Sequence, residues 1–173
     1  MIEEALFELM KEKSYSGITV SEIVKRADVS RRTFYRIYRE KDEILQGFLD
    51  RLCREYRGRV PALECYDVSR IARVFFEFWY QYREILLLMH KSGMDEMLYY
   101  EISCASMEVV SGRINEKECE NDDGIWYFAQ YSAGGFILLL QRWIQSGMHE
   151  TPEEYAENVS RALLEFVRPE KNV

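Results

Sequence analysis

Residues 19 to 41, TVSEIVKRADVSRRTFYRIYREK, leave the backbone few choices, because two helix starts and the turn between them are all signalled locally. Thr19 stands before an apolar-periodic run and Glu22 follows three residues later, a capping box that satisfies the first free amides of a helix. Ile23, Val24 and Ala27 then recur at helical spacing on one face, with Ser21, Glu22, Lys25 and Arg26 turned to water. Ala27 is small where a second helix has to approach. Asp28 and Val29 form the turn, Asp being one of the few non-glycine residues that tolerates a left-handed backbone. Ser30 caps the helix that follows.

Along that second helix, at about 100° per residue, Phe34 and Ile37 fall on one side and Arg32 and Arg36 on the other, flanked by Arg31 and Tyr35. The apolar pair is expected to anchor the helix. The opposite face offers guanidinium groups suited to the major groove of DNA, where Arg bonds the N7 and O6 of guanine, while Tyr35 and Tyr38 are placed for phosphates. A further helix is predicted from Lys41 to about Arg57, with the Lys41 ammonium and the helix's N-terminal amides both against the nucleic-acid backbone.

Net charge is −7, which opposes binding to nucleic acid unless it is unevenly spread. It is uneven. Residues 1–60 carry 13 Lys and Arg against 11 Asp and Glu, the remainder 10 against 19, and Lys25 to Lys41 alone seven basic residues against two acidic. An acidic body behind a basic patch orients the patch toward DNA and repels DNA elsewhere.

The segment resembles the TetR family of transcriptional regulators. The resemblance runs through Ala5, Leu6, Phe7 and Leu9 on a first helix, then Gly17, Thr19, Val20, Ile23, Ala27, Val29, Ser30, Thr33, Phe34, Tyr35, Tyr38 and Lys41. It implies a three-helix helix-turn-helix head, residues 1–46, followed by a helical body, residues 47–173, that dimerises and holds a small effector. By the same resemblance Thr19, Arg31, Arg32, Thr33, Tyr35, Arg36, Tyr38 and Lys41 fall on operator-contacting positions. Asp28 departs from the pattern, standing where the turn usually has glycine. Met1 stands almost inside the first predicted helix, so contacts from a basic N-terminal arm are not among those expected. Tyr131 to Glu157 is similar to the penultimate helix, loop and last helix of one TetR subgroup.

The rest of the chain reads as all-α, about nine helices in total, since apolar residues recur three or four apart nearly throughout. Gly58 and Pro61 close the fourth helix. Asp67 is placed to cap the next, with Ile71, Val74, Phe75, Phe78 and Tyr82 as its stripe. Short and long helices follow at about Glu84 to His90 and Asp95 to Glu116, then a charged loop, Asn115 to Gly124. Ile125 to Ser146 is a long helix stopped by Gly147, and Thr151, Pro152 and Glu154 start the last one. Cys53, Cys65, Cys104 and Cys119 lack metal-ligand spacing and a nearby His, so neither a metal nor another cofactor is expected. With an acidic, amphipathic start and no signal peptide, they are expected as reduced thiols in a cytoplasm. No apolar run is long enough to span a membrane.

Two features of the body point to partners. Gly134 and Gly135 interrupt a strongly helical pattern, each at a cost of about 1 kcal/mol relative to alanine. Close approach of another helix backbone offsets this, either within one subunit or across a dimer. The resemblance implies a four-helix homodimer interface, with Gly135, Leu138, Leu139, Arg142, Trp143, Tyr155, Val159, Ala162, Leu163 and Phe166 as contributors. Aromatic residues are also dense. Phe75, Phe78, Trp79, Tyr82, Met89, Tyr99, Trp126, Tyr127 and Tyr131 are expected to line a pocket for a flat, apolar or cationic effector, with Glu101, Glu108 or His90 as a polar anchor. No nucleophile, phosphate-binding loop or metal constellation suggests an enzyme. The competing reading is a TetR-shaped adaptor that docks on a protein instead of an operator.

Overall fold

Hydrogen bonds at the chain's turns fix where its helices begin and end. The computed structural model describes residues 1–60, 68–116 and 123–167. Among these, α1 (Ile2–Glu12), α2 (Val20–Arg26), α3 (Arg31–Ile37) and α4 (Asp42–Arg59) come first, with a single 3-10 turn at Tyr15–Gly17. They are followed by α5 (Val68–Tyr80), α6 (Arg83–Lys91), α7 (Asp95–Glu116), α8 (Asp123–Gln145) and α9 (Pro152–Val167). The described residues contain no strand, as the periodicity requires. The predicted cap at Asp67 and the middle of the predicted Asn115–Gly124 loop lie outside the described residues.

The capping box forms as read: Glu22 N donates to Thr19 Oγ1 at 3.3 Å, and Glu22 Oε2 accepts from Thr19 N at 2.9 Å. The Thr151 and Glu154 pair repeats it at α9. Ser30 Oγ accepts from Thr33 N at 3.0 Å and starts α3. Helix ends share a second device. At Gly93 and Gly147 the backbone turns left-handed, and the next amide reaches back to the last helical turn, Met94 N to Met89 O at 3.0 Å and Met148 N to Trp143 O at 2.9 Å. Asp28 makes the same turn with a φ of 51°, and Val29 N bonds Val24 O at 3.0 Å.

Leu6 from α1, Ile23 from α2, Phe34 from α3, and Ile44 and Leu45 from α4 are fully buried together and hold the head. Each such side chain stabilises the fold by about 1.5–3 kcal/mol relative to exposure. Helix α4 then carries the core onward without interruption, so the expected boundary after residue 46 falls inside a helix. Its Leu49, Leu52, Cys53 and Tyr56 are buried, and α7 packs along it. In the body, α5 lies against α9 and α7 against α8. Arg83, at the start of α6, donates to Met148 O at 3.1 Å and Gly147 O at 2.8 Å, tying α6 to the turn between α8 and α9.

Two expectations of the head change. Ile37 does not anchor α3: it is 55% exposed, whereas Phe34 is fully buried. The helix stops at Ile37, and the extended backbone of Tyr38 swings that ring inward to 5.8 Å from Phe34. The predicted fourth helix begins at Asp42, with Lys41 as its cap residue, and runs to Arg59. In the body, Tyr82 is not part of the α5 stripe; it stands in the turn before α6 and donates its hydroxyl to Glu55.

Candidate nucleic-acid interface

The exposed side of α3 is built by what the helix buries. With Phe34 in the core, Arg31, Arg32, Tyr35 and Arg36 face outward. Arg32 and Arg36 have no ion-pair or hydrogen-bond partner among the described residues, so their donors are uncommitted. Arg31 donates to Ser21 Oγ on α2, which fixes its position relative to the first helix of the pair. Tyr35 is exposed and edge-on to Phe34 at 5.3 Å. Thr33 is half-buried and shares a 2.9 Å hydrogen bond with Ser30.

Three other expected contact residues are tied into the head. Thr19 is exposed, but its hydroxyl donates to Glu22 Oε2 at 2.9 Å. Glu22 also accepts from Lys13 Nζ at 2.6 Å, and these partners, Lys13 foremost, hold its carboxyl down at about 2. Tyr38 is half-buried, and burial raises its hydroxyl above the usual tyrosine value. Lys41 differs most from expectation. Its ammonium is turned inward, donating to Tyr15 O at 2.8 Å and Ile18 O at 3.0 Å. The N-terminus of α4 nonetheless carries no side-chain cap. In its first turn Glu43 reaches back to accept from Arg39 N at 2.7 Å, and Asp42 accepts from the Tyr15 hydroxyl at 2.5 Å. Arg39 itself is exposed just beyond α3, a position the sequence reading passed over.

Among the described residues, the side chains expected at the effector pocket divide between core and surface. Phe75, Phe78, Trp79 and Met89 are buried, Tyr82 and Tyr99 half-buried, but Tyr127 and Tyr131 are exposed, and the Trp126 side chain lies outside the described residues. Rings fill the space themselves: Tyr56 meets Phe75, Phe78 and Trp79 at centroid distances of 5.9, 5.3 and 5.7 Å. Of the suggested anchors, Glu108 pairs with Arg57 and His90 with Asp95. The Glu101 carboxyl is raised by burial and by Asp50. Among the described residues, Trp79 Nε1 on α5, Ser106 Oγ on α7 and Trp143 Nε1 on α8 are buried polar atoms with no hydrogen-bond partner. An open cleft of about 360 Å³ lies between α5 and α9, with Arg73 and Arg161 among its lining residues.

The expected dimer residues divide. Trp143 is fully buried, stacked between Tyr80 and Tyr155, and Val159 is buried too, so neither offers a surface. Gly135, Leu139, Tyr155 and Leu163 are half-buried, Leu138, Arg142 and Ala162 are exposed, and the Phe166 side chain lies outside the described residues. Tyr127, Tyr131, Gly134, Leu138 and Arg142 make an exposed stripe along α8. A Cβ added at Gly134 or Gly135 would meet nothing within 4 Å, so these glycines do not serve a helix crossing among the described residues.

Comparison with known proteins decides what this architecture is. Residues 2–47 match the model for bacterial regulatory proteins of the tetR family, and residues 67–165 match the family's model for a transcriptional regulator C-terminal region. The chain belongs to the TetR family. It is a helix-turn-helix, DNA-binding transcriptional regulator and not an enzyme. A stretch of 55 residues is 38% identical to the uncharacterized HTH-type transcriptional regulator YxbF of Bacillus subtilis (strain 168), covering 31% of this chain and 14% of that protein. The fold is similar to that of the dihydroxyacetone kinase operon activator DhaS, with a TM-score of 0.69 over 96% of this chain and 93% of that one, at 18% identity. No described helix of this TetR-family chain is long and apolar enough to cross a membrane.

Proposed function

We propose that this TetR-family regulator is a cytoplasmic repressor that binds a pseudo-palindromic operator as a homodimer and is released by a small-molecule effector. Residues 1–46 serve as the DNA-reading head and 47–173 as the effector-binding and dimerising body. The observation that carries this reading is the pair of unpartnered guanidinium groups of Arg32 and Arg36, on a helix held from behind by buried Phe34. An adaptor has no use for them.

In this reading Arg32 and Arg36 address base edges. Arg31, Tyr35 and Tyr38 address phosphates, and Thr19, Thr33 and the uncapped amides following Lys41 fix the register. The exposed stripe of α8 supports dimerisation: Tyr131 is 77% exposed and Leu138 66%, beside two glycines whose missing side chains leave room for a second backbone. Two heads joined by such a body read two half-sites. For the effector, the buried and unpartnered Trp79 Nε1 and Ser106 Oγ favour a ligand with hydrogen-bonding groups, because leaving such an atom unsatisfied costs roughly 1–3 kcal/mol. The ligand must prefer one separation of the heads, since equal affinity for both shifts nothing.

The test is selection of binding sites from random duplexes by full-length protein, with sedimentation of the complex. An enriched inverted repeat occupied by two chains supports the proposal. Enrichment of no sequence, or a single chain on DNA, rejects it.

A further inference from the structure

Met1 apart, the large apolar side chains exposed in residues 1–60 are Tyr35 and Ile37, and both belong to α3. Full burial of an isoleucine is among the larger contributions a side chain makes to a fold. The head forgoes it because Tyr38 takes the inward place at the end of the helix. We propose that Ile37 is a specificity-determining residue that reads the 5-methyl group of a thymine in the major groove. The proposal rests on base reading by α3.

The surroundings of Ile37 favour that occupant over a phosphate or another base atom. Thr33 lies one turn earlier on the same flank, and its hydroxyl is engaged with Ser30 Oγ at 2.9 Å. Arg36, exposed and unpartnered, stands about 100° round the helix from Ile37. This flank of α3 therefore offers carbon to the groove. The thymine methyl is the apolar feature among the base edges displayed in the major groove. An isoleucine has no donor or acceptor, so approach to a phosphate or to guanine N7 and O6 would gain it nothing.

The experiment uses full-length protein and the duplex it enriches from a random pool. Each thymine of the site is replaced in turn by deoxyuridine, which deletes only the methyl group, and affinity is read by fluorescence anisotropy. Wild type is expected to lose about fourfold per half-site at one symmetry-related thymine. Ile37→Ala is expected to bind the thymine and uracil duplexes alike while melting at the wild-type temperature, and Ile37→Val to keep most of the discrimination. Uniform tolerance of uracil by wild type, or discrimination that survives in Ile37→Ala, overturns the proposal and leaves base reading by the arginines standing. Failure to enrich any sequence overturns base reading and this proposal with it.

Discussion

The ammonium of Lys41 donates to the carbonyl oxygen of Tyr15 at 2.8 Å and lies 4.4 Å from the centre of the same residue's ring. With the second bond to Ile18 O, it fastens the start of α4 to the segment that leads into α2. Lys41→Met removes two charge-assisted bonds and leaves two carbonyls short of a donor. A loss of about 1–3 kcal/mol is expected, read as a lower midpoint in thermal unfolding followed by circular dichroism. An unchanged midpoint would mean that these bonds hold nothing together.

Asp28 occupies a left-handed position with a Cβ, at a φ of 51°. Glycine adopts that conformation without the steric cost but loses more freedom on folding. The net expectation for Asp28→Gly is a gain of about 0.5–1 kcal/mol, and for Asp28→Val a clear loss, because a β-branched residue tolerates the turn least. Chemical denaturation of the three proteins checks the order.

The Glu22 carboxyl is held at about 2, against its usual 4.5, by Lys13 first and then by Thr19. Its folded value is depressed, so the stability it contributes is fully present above pH 4.5 and is lost as pH falls toward 2. In melting curves across that window, Glu22→Gln should show a shallower decline than wild type. Parallel declines would remove Glu22 as a source of acid sensitivity.

Leu138 and Trp143 lie close in sequence on α8 and should fail differently. Leu138→Glu places a charge on the exposed stripe, and sedimentation is expected to show folded single chains. Trp143→Ala empties the stack between Tyr80 and Tyr155 and is expected to cost roughly 3–5 kcal/mol. A Leu138→Glu protein that stays dimeric would place the interface elsewhere.

Local signals were the legible ones. Thr19 with Glu22, Ser30, Gly147, and Thr151 with Glu154 each act within one turn of backbone, so the residue types alone located the helix ends. Ile37 was misread because its side depends on α3 stopping one residue before Tyr38, and helix periodicity does not carry an end that tertiary packing decides. Lys41 was misread because a long side chain reaches carbonyls more than twenty positions away. Helix α8 is apolar on more than one side, so spacing could not separate buried Phe136, Leu140 and Trp143 from exposed Tyr131 and Leu138. The aromatic density was real, but composition does not say which rings are buried, as Phe75 and Trp79 are, and which exposed, as Tyr127 and Tyr131 are.

The account stands on base reading by the outer face of α3. A titration of wild type, Arg32→Ala, Arg36→Ala and Tyr35→Phe against an enriched site and a scrambled duplex, at matched salt, tests it most directly. The arginine variants are expected to lose about 1–3 kcal/mol on the enriched site and little on the scrambled one, while Tyr35→Phe weakens both alike. Equal losses on both duplexes for all three variants would contradict it.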